Sequence, residues 1–210
     1  MKMSNTKRTV LVIAGMPGAG KSLASDAARE LRIPVFISGD VIRGEARRRG
    51  LKLDKANLGR LMLKIRNEEG MGAVARRLAP IIESTGRSFV VYEGARNMEE
   101  LEELRKNYRV ITVAIHAAPE TRLARLLKRR RGDKPRNLGD FRERDERELK
   151  VGVGKVIALA DRTVENEASR DELRRRMKRL LQKMTHQNGS PSLLKQRSSA
   201  PKTRKRSPKP

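Results

Sequence analysis

The octapeptide Gly15-Met16-Pro17-Gly18-Ala19-Gly20-Lys21-Ser22 constrains this chain more than any other feature. It fits G-x-x-x-x-G-K-[ST] at every fixed position, and its flanks suit it. Before it, Thr9–Ala14 (TVLVIA) is a short, β-branched apolar run that reads as a buried parallel strand. After it, Leu23, Ala24, Ala27, Ala28 and Leu31 recur at helical spacing over Lys21–Leu31. A strand, a glycine turn and a helix in that order wrap backbone N–H groups around an anion, with the positive end of the helix aimed at it. The octapeptide is therefore expected to cradle the phosphates of ATP. Lys21 would reach the β- and γ-phosphates as a mobile charge, and the Ser22 hydroxyl would ligate Mg2+. The alternative, a glycine-rich turn with a chance Lys-Ser, leaves both flanks unexplained.

The rest of the chain alternates in the same manner. Val35–Ser38, Ser88–Tyr92 (SFVVY) and Val110–Ile115 (VITVAI) read as strands, and Thr163–Glu165 as a fifth. Helical spacing runs to about Ser84, broken at Gly50 and Gly70 and kinked at Pro80. Met98, Leu101 and Leu104 share a helix face, and Pro119 opens a helix with Leu123, Leu126 and Leu127 inward. Ser169, with Glu172 three residues on, is a capping box for a last helix. Strands alternating with helices predict an α/β fold, a three-layer sandwich of about five mostly parallel strands between helices. One such domain is expected over residues 1–185, without internal repeats.

Composition changes after Thr185. Residues 186–210 are rich in Ser, Pro, Lys and Arg, with seven cations and no acid, and are expected to be disordered. The chain of 210 residues carries 50 Lys and Arg against 25 acids, a formal charge of +25; without those seven, +18 remains on residues 1–185. Such an excess predicts polyanionic company, whether nucleotides or nonspecific nucleic acid through the basic tail. Three Phe and two Tyr offer little for base stacking. The absence of Cys removes disulfides, thiolate nucleophiles and Cys-based metal sites, and two His are too few for a His-rich one. No apolar run approaches the ~18 residues of a membrane span. The basic Met1–Arg8 and the short apolar run behind it pass straight into the glycine loop, unlike a signal peptide. A cytoplasmic protein without a membrane partner is expected.

Two further segments close strands beside the loop. Ser38-Gly39-Asp40-Val41-Ile42-Arg43 follows the second strand, and Tyr92-Glu93-Gly94-Ala95-Arg96 ends the third. A carboxylate at such a strand end can orient a hydroxyl or a metal-bound water. Alternatively, Asp40 caps the helix that follows, and Glu93 pairs with Arg96. The first segment resembles the Gly-Asp-x-x-Arg element of P-loop nucleotide kinases of the adenylate-kinase type. The second resembles their Asp-Gly-x-x-Arg, with Glu for Asp and the Arg one position closer. The resemblance implies that Asp40 is a catalytic carboxylate near the transferring phosphoryl and Mg2+. It also implies that Arg43 and Arg96 hold an acceptor phosphate, and that Glu93 lies on the acceptor side and binds Mg2+ through water.

Arg122 and Arg125 are spaced i, i+3, and Lys128–Arg131 and Gly132–Arg136 follow. Arginines closed over a phosphoryl-transfer site stabilise its charge and exclude water. Arg122 and Arg125 are thus expected as catalytic residues of a lid over about 122–150. Lys128–Arg131 reads instead as a solvated or RNA-facing run. Arg142, Arg144, Asp145, Arg147 and Glu148 alternate in sign and read mostly as an exposed, salt-bridged helix face, with Arg144-Asp145 available to the lid. Ala158–Leu173 is similar to the Ala-Asp-x-x-(Val/Ile)-x-Asn of dephospho-coenzyme A kinases, followed by a capped helix. Together with the glycine loop and the Arg-Asp-x-x-Glu-Leu run at Arg144–Leu149, it resembles an archaeal family of nucleotide-kinase-like P-loop proteins, over roughly residues 9–184. This implies that Asn166 lies against the adenine; Asp161 and Asn166 can equally serve only their turn.

The leading expectation is an ATP- and Mg2+-dependent kinase acting on a nucleoside monophosphate or a nucleotide-like hydroxyl such as that of dephospho-coenzyme A. Its catalysis would be mostly positioning and charge stabilisation. An RNA- or ribosome-associated ATPase is the alternative that the charge favours, and a nucleotide-binding switch without turnover is the third.

Overall fold

In the computed structural model, residues 7–129 and 134–187 are described. Strand β1 (Thr9–Ala14) is buried along its whole length. It runs between β3 (Phe89–Glu93) and β4 (Arg109–His116), parallel to both. The strand β2 (Val35–Ile37) pairs with β3, and β5 (Arg162–Glu165) with β4, giving a five-stranded sheet in the order β2-β3-β1-β4-β5 with every pair parallel. The helices in chain order are α1 (Lys21–Glu30), α2 (Ser38–Arg48), α3 (Lys55–Glu69), α4 (Ala73–Ser84), α5 (Met98–Arg105), α6 (Pro119–Leu127), α7 (Leu138–Val151), α8 (Val153–Ala158) and α9 (Arg170–Gln187).

Successive side chains of a strand point to opposite faces. Leu11 and Ile13 of β1 therefore meet Ala24, Ala27 and Ala28 of α1 and Leu173, Met177 and Leu181 of α9. Val10 and Val12 meet Leu78 and Ile82 of α4, Leu101 and Leu104 of α5 and Val156 of α8. These are the three expected layers. A smaller cluster joins Ile42 and Ala46 of α2, Leu61 and Ile65 of α3 and Val74 of α4. It builds an arm beside the carboxyl end of β2. Among the described residues, no helix is long and apolar enough to cross a membrane.

Helix α4 carries Pro80 in its interior and ends at Ser84. Two local expectations differ from the structure. Helix α2 already begins at Ser38, so β2 is one residue shorter than the Val35–Ser38 reading. Leu127 lies 39% exposed, because Arg122 and Leu126 take the inward face of α6. Of the basic run after α6, residues 130–133 lie outside the described residues, as do residues 188–210 of the tail; His186 and Gln187 still belong to α9.

Candidate functional site

The glycine loop joins β1 to α1 at the carboxyl edge of the sheet. Three later segments press on it. A side chain at Gly15 would come within 2.5 Å of the Ile115 carbonyl, and one at Gly18 within 2.7 Å of the Arg122 carbonyl. A Cβ at Gly20 would fall on Asn166 Nδ2. Gly18 and Gly20 also have φ of 84° and 112°, a region costly for other residues. The first turn of α1 carries no acidic residue, so the helix dipole there is not neutralised.

Lys21 folds back over the loop and donates from Nζ to the carbonyls of Gly15 (2.6 Å) and Met16 (3.2 Å). Burial pushes its ammonium from the ordinary 10.5 down to about 8. The carboxylates of Glu148 and Glu93 oppose that shift, and the guanidiniums of Arg96 and Arg129 add to it.

Glu93 forms the floor. The register Ile13↔Glu93 sets it beside the end of β1, where it is 6% exposed. Its carboxylate accepts from Ser25 Oγ (2.6 Å) and Ser22 Oγ (3.4 Å). Ser25 is a residue that motif reading missed. Its signal is a hydroxyl one turn after Ser22, among the buried Ala24, Ala27 and Ala28 of α1, where a polar atom needs a partner.

The two carboxylates and two arginines expected on the acceptor side sort differently. Asp40 is not the cap of α2; the capping position is Ile37, which makes no side-chain bond, and Asp40 sits in the first turn. There it pairs with Arg43 at 2.5 Å, on the exposed side of the helix. Glu93 and Arg96 do not pair with each other. Arg96 instead reaches Glu148 of α7 (3.3 Å) and, through Nη1, Met62 Sδ of α3 (2.9 Å).

Arg122 is not a guanidinium waiting over the site. It is 4% exposed, forks onto both oxygens of Asp145 (2.8 and 2.6 Å), and donates to the carbonyls of Ala117 (3.2 Å) and Pro17 (3.1 Å). The Phe141 ring lies under it, 5.0 Å to the centroid. Arg122 thus fastens α7 to α6 and to the loop. Asp145 and Glu148 correct the reading of α7 as an exposed ionic face: Arg147 and Glu143 pair at the surface, but these two carboxylates turn inward.

Arg125 donates from Nη2 toward Asn166 Oδ1 (3.5 Å) and the Ala168 carbonyl (3.4 Å), while its buried Nη1 has no partner. Asn166 donates to the Ala19 carbonyl (2.7 Å) and so ties the β5–α9 connection to the loop. Asp161 serves the fold, accepting from Thr112 N (2.7 Å) and Oγ1 (2.6 Å). Glu167 accepts from Ala118 N and Thr121 Oγ1 at the start of α6.

A nucleotide with Mg2+ fits these residues. The three glycines let Ile115, Arg122 and Asn166 close directly on the loop backbone, and Arg125 Nη1 is a buried donor without an acceptor. Among the described residues, no three His, Asp or Glu side chains converge into a metal cage. Mg2+ would therefore be held mainly by phosphate oxygens and Ser22, with Glu93 behind it.

A family profile described as an AAA domain matches residues 14–142. A UPF0200 protein of Hyperthermus butylicus is 43% identical over 185 residues, covering 88% of this chain and 100% of the relative. One from Pyrococcus abyssi is 39% identical over 184 residues, covering 85% and 98%. Among solved structures, TT1252 from Thermus thermophilus matches with a TM-score of 0.63 at 18% identity, over 86% of this chain and 100% of that one. Shikimate kinase from Acinetobacter baumannii in complex with shikimate matches with a TM-score of 0.52 at 19% identity, over 87% and 95%. The structural likeness establishes the P-loop kinase fold, and the sequence identity is what assigns the family: the chain belongs to the archaeal UPF0200 proteins.

Proposed function

We propose that this protein is a phosphotransferase that moves the γ-phosphoryl of Mg-ATP to a nucleotide or nucleotide-like acceptor. The observation that carries this reading is the convergence of Ser22, Ser25 and Glu93 under a glycine loop whose lysine is already folded inward. Bound Mg-ATP would supply the phosphoryl group and the metal charge that neutralises it. The loop backbone and Lys21 hold the phosphates, Ser22 contributes a metal ligand, and Glu93 orients metal-bound water. Asn166 and Arg125 lie on the base side of the loop, and α2 and α3, with Arg43, Asp40 and Arg96, form the acceptor side. Catalysis is then mostly positioning and preorganised charge. Asp40, exposed and paired with Arg43, suits contact with an acceptor better than with the metal.

The test is ADP release by the full chain with Mg-ATP, against AMP, CMP, UMP, GMP, dephospho-coenzyme A, short RNA and no acceptor, with Lys21→Ala as the blank. Stimulation by one small acceptor is the expected result. Turnover indifferent to all of them, or stimulated by RNA alone, overturns it. The charge of +25 favours that second outcome as the competing reading, an RNA-linked ATPase held by phosphate contacts.

A further inference from the structure

Helix α7 is fixed to the site at two places. Toward its middle, Asp145 holds Arg122, which in turn holds the Pro17 carbonyl of the loop. At its carboxyl end, Gly152 closes the helix with φ of 112°, packed so tightly that a Cβ would stand 3.4 Å from the Arg96 carbonyl and 3.3 Å from Asn97 Cβ. Glu148 lies between these anchors, three residues after Asp145 and so on the same face. Its side chain, 18% exposed, is held on Arg96 Nε at 3.3 Å, three residues past the end of β3. The guanidinium that resembles an acceptor-phosphate ligand is therefore already occupied by a carboxylate of the chain itself.

We propose that Glu148 is an internal stand-in for a phosphoryl group: it fills the anion subsite offered by Arg96, and a phosphoryl group must displace it. The inference rests on the nucleotide-binding reading above and names what that site discriminates. The Glu148 carboxylate also lies close enough for its charge to act on Lys21, the lysine expected to reach the β- and γ-phosphates. A diphosphate satisfies the loop backbone without contesting Arg96. A third phosphoryl, or a separate phosphate on the acceptor side, has to compete with Glu148.

Calorimetric titration of the full chain with Mg2+ and ADP, with the non-hydrolysable triphosphate AMP-PNP, and with inorganic phosphate after ADP saturation tests this in wild type and Glu148→Gln. The amide removes the charge and keeps the shape. The expected result is AMP-PNP binding about tenfold tighter in the variant with ADP within about threefold of wild type, the loss of one competing close charge. A gain for inorganic phosphate instead assigns the subsite to a free acceptor phosphate. Unchanged or weaker binding of both, or equal tightening of ADP and AMP-PNP, overturns the proposal while leaving nucleotide binding intact. No binding of any nucleotide to wild type overturns both readings. If Glu148→Gln does not fold, Glu148→Asp, which keeps the charge and shortens its reach, is expected to show the same selective tightening to a smaller degree, and its absence overturns the proposal.

Discussion

Lys21 gives two pH dependences of opposite sign. The folded protein holds its ammonium at about 8 against 10.5 ordinarily, so above that lower value the unfolded chain binds the extra proton. Stability from this group therefore rises as pH climbs from about 8 toward the unfolded value. Nucleotide affinity needs the ammonium and runs the other way. We expect the Kd for ADP to be nearly flat below pH about 8 and to weaken by up to about tenfold per unit above it, until the raised pKa in the complex is reached. Titration calorimetry across that range checks this, and Lys21→Met should remove the slope. The loop residues were legible in the sequence because their chemistry is local: eight consecutive positions with their own strand and helix. Ser25, Glu148 and the partner of Arg122 were not. Each depends on a contact with a segment 23 or more residues away, and no spacing along the chain encodes it.

At the scale of elements, the strands were readable because buried parallel strands are continuous apolar runs, and β1, β3 and β4 are such runs. Helix α6 misled at Leu127 because hydrophobic spacing assigns the inward face to leucines. The face is taken by a buried arginine whose charge is met by the half-buried Asp145. A second pair of that kind was equally hidden. Arg66 of α3 meets Glu100 of α5 at 2.7 Å, and Tyr92 Oη donates to the same carboxylate at 2.7 Å, all inside the core. The α6–α7 clamp is the element with the larger functional consequence. Arg122→Ala leaves Asp145 and the Pro17 and Ala117 carbonyls without their donor. We expect a loss of about 3–5 kcal/mol in unfolding free energy, and ADP binding weakened beyond what the unfolded fraction explains. Denaturant melts with and without ADP measure both.

At the scale of the whole molecule, charge and fold separate. Among the described residues, the core runs from the first strand to Met184 of the last helix. The composition of the tail, seven cations in 186–210 without an acid, argues for a polyanion anchor. Ending the chain at Gln187 should leave the melting temperature and small-molecule turnover unchanged. It should lower affinity for a generic polyanion such as heparin and flatten its dependence on salt. Loss of turnover on truncation would show the tail to be part of the enzyme. The overall architecture was legible from alternation and the loop, and the order of strands from neither.

That order has a consequence in time. The glycine loop is made early in synthesis, yet Gly15, Gly18 and Gly20 are shaped by Ile115, Arg122 and Asn166. On the proposed function, a ribosome that has released the motif has not yet released the segments that press on it. The loop gains its last such contact only when Asn166 has emerged to close on Ala19, so we expect cofactor capture to follow the completion of folding rather than assist its start.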